Sequence, residues 1–361
     1  MLNSVRCWIS SSSEPRLSAR RKGSLAGPAV VGGDCRVGYP LSVSIRRILI
    51  VVACGLALSA CSGSPATTPS PTPTPTPSST LPVKNNLDGI AVSGAWLAKP
   101  KVTFTAPFSI DQTRRKVLIE GTGNPITKDS MFSFRYYLAS GRTGKLEEES
   151  FTDKQDFTTT LSGVIRGFTA GLTDVKQGSR VLVAIPGSDS YDGVDPSYRP
   201  ADYKDGDTLI FVVDITGVSM PQPSGATVAP AAGLPTVTGD AASKPVVAVP
   251  GTAAPADLKT QVLIQGTGRK VAKGDIVYSR YVGYSWTHAK LIDDKFATPE
   301  ATPLASSLVG LQTGLVGQNV GSRVMFVLPP KYGYPLGANR PPVDPGDTVV
   351  YVVDILYAYQ Q

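Results

Sequence analysis

Short apolar runs rich in β-branched residues recur along the chain, each stopping at glycine, proline or a polar turn. Val181 to Ile185, Leu209 to Ile215, Val324 to Leu328 and Val349 to Ile355 have the length and composition of strands. A different period interrupts them once in each half. Phe168, Leu172 and Val175 fall at i, i+4 and i+7, and Leu311 with Leu315 repeats the first pair. This predicts one short helix, over Phe168 to Val175 in the first half, with Gly178 and Gly321 closing each helix and starting the next strand. Several antiparallel strands around one short helix make an α+β arrangement.

The two halves are copies of one pattern. Lys116-Val117-Leu118-Ile119-Glu120-Gly121-Thr122-Gly123 answers Gln261-Val262-Leu263-Ile264-Gln265-Gly266-Thr267-Gly268, and Arg135-Tyr136 answers Arg280-Tyr281. Gly178-Ser179-Arg180-Val181 answers Gly321-Ser322-Arg323-Val324, and Gly206-Asp207-Thr208 answers Gly346-Asp347-Thr348. The offset drifts from 145 to 143 to 140, which places small insertions in loops of a duplicated domain of about 130 residues. Residues 219–243 hold Pro, Gly, Ala and Ser with few large side chains and read as a linker that leaves domains 83–218 and 244–361 free to move.

Charge narrows the function. The chain carries 35 Lys and Arg against 28 Asp and Glu, but eight of the basic and two of the acidic residues lie in residues 1–61. The remainder is nearly neutral, so a nucleic-acid partner is excluded. All four cysteines (Cys7, Cys35, Cys54 and Cys61) also lie in that leader, which excludes disulfides, zinc sites and a cysteine nucleophile from the repeats. His288, the single histidine, excludes sites that need two imidazoles. Neither a metal nor a cofactor is called for.

Within residues 1–60, Arg46-Arg47 precedes an apolar run from Ile48 to Leu58, the layout of a secretory signal too short to span a bilayer. Residues 1–42 lack periodicity, and Val43 is read as the initiator of an 18-residue leader. Leu58-Ser59-Ala60-Cys61 resembles the lipobox of bacterial lipoproteins, which implies lipidation of Cys61, a membrane partner through that anchor, and an extracytoplasmic location. Residues 62–82 contain 18 Pro, Ser or Thr among 21, a composition that favours extended polyproline II. At about 3.1 Å per residue this tether reaches about 65 Å from the anchor.

The repeats resemble the FKBP-type peptidyl-prolyl cis-trans isomerases. The first copy shows it in Val164-Ile165-Arg166-Gly167-Phe168, Ile185-Pro186, Tyr191 and Leu209-Ile210-Phe211-Val212-Val213-Asp214-Ile215. The second has Leu308-Val309-Gly310-Leu311, Leu328-Pro329-Pro330-Lys331-Tyr332-Gly333-Tyr334 and Val349-Val350-Tyr351-Val352-Val353-Asp354-Ile355. The resemblance implies two domains, each a curved antiparallel sheet wrapped around one short helix. It implies catalytic positions at Tyr136, Phe168, Tyr191 and Phe211, and at Tyr281, Asp293, Tyr334 and Tyr351. Substrate-binding positions are implied at Phe157, Val164, Ile165, Ile292, Leu308 and Leu311, with Glu148 as the first copy's counterpart of Asp293. The aromatic floor is Phe168 in the first copy and only Leu311 in the second, which places the better-kept site in the first. The other carboxylates of Glu147-Glu148-Glu149 and Asp293-Asp294 read as solvated loop residues.

Such an enzyme lowers a torsional barrier of about 18–20 kcal/mol without making or breaking bonds, so the lack of acid-base machinery does not count against it. The implied partners are proline-containing polypeptides, met by a monomer that assists folding outside the cytoplasm. The alternative is a weak or inactive FKBP-fold chaperone that only docks proline-containing segments. A surface spacer without a pocket is a third reading.

Overall fold

The computed structural model describes residues 83–200 and 202–360; the leader, Cys61 and the tether lie outside them. The first repeat begins with a hairpin of β1 (Ile90–Ser93) and β2 (Lys101–Phe104). It continues through β3 (Arg114–Ile119), β4 (Met131–Ser140), β5 (Leu146–Glu149), β6 (Phe157–Thr160), α1 (Arg166–Leu172), β7 (Arg180–Ile185) and β8 (Leu209–Val218). The second has the hairpin β9 (Thr236–Thr238) and β10 (Val246–Ala248), then β11 (Lys259–Gln265), β12 (Ile276–Ser285), β13 (Leu291–Asp294), β14 (Glu300–Pro303), α2 (Val309–Leu315), β15 (Arg323–Leu328) and β16 (Val349–Tyr359). The sheets run β3-β7-β8-β4-β5 and β11-β15-β16-β12-β13 with antiparallel pairing, and β6 and β14 pair with the near ends of β4 and β12.

The central strands are continuous apolar runs because both faces of each sheet are covered. Val181, Val183 and Ile185 of β7 and Phe211, Val213 and Ile215 of β8 face the core under α1. The alternate residues Leu182, Ala184, Ile210 and Val212 face a second core beneath the hairpin. In the second repeat Val324, Phe326 and Leu328 take the first role and Met325 and Val327 the second.

The helices are seven residues long, Arg166–Leu172 and Val309–Leu315. The first therefore starts two residues before the predicted span and ends before Val175, which is buried in the turn beyond. Each carries two glycines on its inner face despite their low helix propensity. A Cβ on Gly167 would stand 2.1 Å from Ile185 Cγ2, and one on Gly310 2.4 Å from Leu328 Cδ2. Close approach to β7 and β15 overrides propensity here. Gly178 and Gly321, at φ +91° and +88°, turn the chain into those strands rather than capping the helices.

The hairpins cap the far sheet faces by holding a buried ion pair. Arg180 and Asp214 are at most 1% exposed and make a bidentate contact at 2.6 and 2.8 Å. The same guanidinium donates to the carbonyls of Gly94 and Ala98, each at 2.7 Å, and the Leu97 amide donates to Asp214 at 2.6 Å. In the second repeat Arg323 pairs with Asp354 at 2.6 and 2.9 Å and donates to the carbonyls of Asp240, Ala241 and Ser243. These loops are themselves repeated: Val92-Ser93-Gly94 and Lys99-Pro100 answer Val237-Thr238-Gly239 and Lys244-Pro245.

Residues 219–243 are therefore more than a tether. Ala226–Thr227 pairs with the edge of β11, β9 starts at Thr236, and the turn at Gly239 to Ser243 closes over Arg323. Low side-chain volume in this segment reflects backbone packed against a guanidinium. The two repeats also touch, in place of the free hinge expected from composition. The Tyr357 hydroxyl donates to Ser133 Oγ at 2.9 Å, the Tyr278 hydroxyl to the Asp129 carbonyl at 3.0 Å, and the Met220 amide to the Leu356 carbonyl at 2.9 Å.

Candidate functional site

Each repeat gathers its candidate residues between the helix and the concave face of the sheet. In the first, β4 carries Tyr136, β6 carries Phe157, α1 and the residues before it carry Val164, Ile165 and Phe168, and β8 carries Phe211. All seven positions named from sequence meet around one cluster, with Tyr191 arriving from the loop after β7. The Phe168 and Phe211 rings meet edge to face at 4.6 Å, and Tyr136 lies 5.1 Å from Phe157. Tyr136, Phe168, Tyr191 and Phe211 are all 3% exposed or less. Burial, reinforced by the charge of Glu148, pushes the Tyr191 hydroxyl up to about 12. Burial also raises Tyr136, with Glu148 next to its hydroxyl.

The second repeat opens a cavity where the first carries larger, more deeply buried side chains. A cavity of about 250 Å³ opens between α2 and the sheet, reached by Tyr281, Asp293, Leu308, Leu311, Tyr334 and Tyr351. Ile292 packs against the adjoining core without reaching the cavity wall. The repeat offset explains the difference. Phe132, Phe134 and Leu138 of β4, all wholly buried, stand where β12 has Val277, Ser279 and Gly283. Phe168 stands where α2 has Leu311, and in the strand register Phe157 opposite Phe134 corresponds to Glu300 opposite Ser279. Five large side chains that fill the first site are thus replaced by smaller or polar ones in the second. Phe168, the aromatic floor that marks the first copy in the sequence, is wholly buried in the fold.

Polar groups converge on the open site. The hydroxyls of Tyr334 and Tyr351 lie 3.1 Å apart, Tyr351 donates to Asp293 Oδ2 at 3.3 Å, and Tyr281 donates to Glu300 Oε1 at 3.0 Å. Gly283 makes the Tyr351–Asp293 contact feasible, since a Cβ there would stand 2.9 Å from the Tyr351 ring and 3.0 Å from Asp293 Cβ. Burial raises Tyr334, Tyr281 and Tyr351 further above neutrality, so all three keep their protons as donors. Burial likewise raises the Asp293 carboxyl, against the opposing hydrogen bond from Tyr351.

Register identifies Glu148, opposite Leu138, as the counterpart of Asp293, opposite Gly283. Both acidic runs lie on strands and not on solvated loops. Glu149 holds Lys99 at 3.0 Å, while Asp294 pairs with Lys244. Sequence reading missed Glu300, although the step in offset from 145 to 143 between Tyr281 and Leu308 signals the realignment that brings it opposite Phe157. Among the described residues no group of three or more His, Cys, Asp or Glu is placed to hold a metal ion.

A short helix laid across an antiparallel sheet, with tyrosines and a carboxylate around a hollow of about 250 Å³, is the build of a prolyl-bond isomerase. The family model of the FKBP-type peptidyl-prolyl cis-trans isomerases matches twice, over residues 124–216 and 267–356, together just over half of the 361 residues. The chain belongs to that family and is an enzyme of that class. A probable FK506-binding protein of Corynebacterium glutamicum is 30% identical over 118 residues, covering 32% of this chain and 98% of the relative. An FK506-binding protein of Streptomyces anulatus is likewise 30% identical over 118 residues, covering 31% and 95%. The three FKBP domains of wheat FKBP73 align at 15% identity over 69% of this chain and 95% of that one, with a TM-score of 0.30.

Proposed function

We propose that this protein is an extracytoplasmic prolyl isomerase whose turnover resides in the second repeat. Its clients are proline-containing polypeptides that fold outside the cytoplasm, met by a monomer anchored to the membrane through lipidated Cys61 and the tether of residues 62–82. The observation that carries the assignment to one repeat is the 250 Å³ cavity, set against the burial of Tyr136, Phe168 and Tyr191 in the first.

The cavity takes the prolyl ring against Leu308, Leu311 and Tyr351. As the amide twists it loses resonance and charge separation, so a dry apolar wall favours the twisted form over the planar one. The Tyr334 hydroxyl, still protonated and beside the mouth, donates to the carbonyl before proline and holds the twisting unit in one orientation. A hundredfold acceleration needs about 2.7 kcal/mol of such differential binding. The first repeat serves as a rigid, non-catalytic neighbour, a role favoured by the burial of its own tyrosine, Tyr191.

A protease-free cis/trans assay on the full chain tests this. Tyr334→Phe removes one hydrogen bond, of about 0.5–1.5 kcal/mol, and lowers kcat/KM by roughly 2- to 13-fold. The matching Tyr191→Phe leaves turnover unchanged. Activity lost with Tyr191 and kept without Tyr334 reverses the assignment, and a folded chain that accelerates no peptide moves the protein to a docking or chaperone role.

A further inference from the structure

The cavity of the second repeat carries a second carboxylate, Glu300, beside the Asp293 that the family pattern implies. Asp293 and Glu300 both line it, on strands that pair with β12 on either side of Tyr281, and no Lys or Arg is among its lining residues. The two carboxylates feel each other, since Glu300 opposes ionisation of Asp293. Their partners inside the site are neutral phenols, Tyr351 on Asp293 and Tyr281 on Glu300. The Lys295 ammonium lies 3.3 Å from Glu300 and favours ionisation of Asp293 more than Glu300 opposes it, and since Lys295 and Glu300 are 41% and 39% exposed their pair sits at the water-screened rim. The first repeat lacks this arrangement, because Phe157 occupies the register position of Glu300.

A cleft lined by one sign of charge with low-dielectric walls focuses its field on whatever enters. One rim ammonium against two carboxylates leaves the site with a net negative charge, which a neutral client does not meet and a cationic side chain does. We infer that the second site selects prolyl bonds flanked by lysine or arginine, whose side chain lies along the Asp293–Glu300 wall. A long flexible side chain beside the bound proline suits this, since its stem covers apolar surface while its head reaches the carboxylates. This rests on the proposed isomerase site and adds the class of client that it prefers.

The full chain is assayed with short peptides that differ only in Lys, Leu or Glu next to proline, on either side of it. Turnover and binding are both measured, the latter by NMR titration. The Lys peptide is expected to exceed Leu by about five- to tenfold in kcat/KM and affinity, with Glu lowest, and the spread is expected to shrink between about 0.05 and about 0.5 M salt. Glu300→Gln and, separately, Asp293→Asn each narrow the Lys-to-Leu ratio. A ratio near one, or a preference indifferent to salt and to both substitutions, overturns the inference while leaving the isomerase in place. Salt-sensitive preference in binding without turnover of any peptide overturns the isomerase and keeps the charge selection. Absence of both turnover and binding overturns both.

Discussion

Replacing Arg180 and Arg323 by methionine, one at a time, tests whether the buried ion pairs hold the hairpins to the sheets. The two repeats do not predict the same cost. Without Arg180, Asp214 stays wholly buried with the Leu97 amide as its remaining hydrogen-bond donor, and the carbonyls of Gly94 and Ala98 lose their partner. Arg135, the counterpart of Arg280, donates from Nε to Asp156 at 2.6 Å and not to Asp214. Stranding a buried charge in this way costs about 3–5 kcal/mol. Without Arg323, Asp354 keeps Arg280, whose Nε lies 2.7 Å from Oδ2 and whose Nη2 still holds the Ala241 carbonyl at 2.7 Å. One retained charged hydrogen bond is worth about 1.5–3 kcal/mol, so Arg323→Met should cost that much less. Hydrogen exchange resolved by segment reads each hairpin separately, over residues 90–104 and 236–248, in the intact chain. Arg180→Met/Asp214→Leu should recover the part of the loss due to the stranded charge, while the Gly94 and Ala98 carbonyls and the Leu97 amide stay unpaired. Equal losses in the two repeats, or losses below about 1 kcal/mol in both, would refute the reasoning.

The remaining predictions concern packing, pH and the contact between repeats. Gly310→Ala forces a Cβ to within 2.4 Å of Leu328, so it should destabilise the second repeat by about 1–3 kcal/mol in denaturant unfolding, although alanine favours helix. Burial pushes Glu149 up, but hydrogen bonds from the Thr152 hydroxyl, Lys99 and the amides of Thr152 and Phe151 outweigh it and hold the carboxyl at about 2. Its unfolded value is about 4.3, so its stabilisation is complete above that pH and is lost as pH falls toward 2; Glu149→Gln should flatten the stability profile across that window. A Cβ on Gly217 would lie 1.8 Å from the Tyr357 hydroxyl, so Gly217→Val should displace that ring and break its bond to Ser133, read as faster hydrogen exchange on both sides of the contact.

Much of this was legible in one dimension. Apolar runs marked the central strands, the repeat marked the duplication, and the spacing of Phe168 and Leu172 marked the helix, because these signals are local and follow from backbone period. The residues named from the family pattern lie between helix and sheet in each copy, apart from Ile292, which packs beside the cavity without lining it. The second structural layer was not legible: the hairpins at residues 90–104 and 236–248 have strands of only three or four residues and are joined to the buried arginines through backbone carbonyls, which leave no mark on side-chain composition. The linker reading failed for the same reason.

The sequence by itself determined the strands, the helix and the duplication, since each depends on residues close together in the chain. Only the tertiary structure decided which copy is hollow. Phe168 looked like a better site than Leu311 because an aromatic residue lines a pocket or fills a core equally well, and its neighbours choose between them. Those neighbours, Phe134, Leu138 and Phe157 against Ser279, Gly283 and Glu300, lie on different strands and meet only when β4 and β12 pair with β6 and β14. Free volume belongs to that meeting and to no single position.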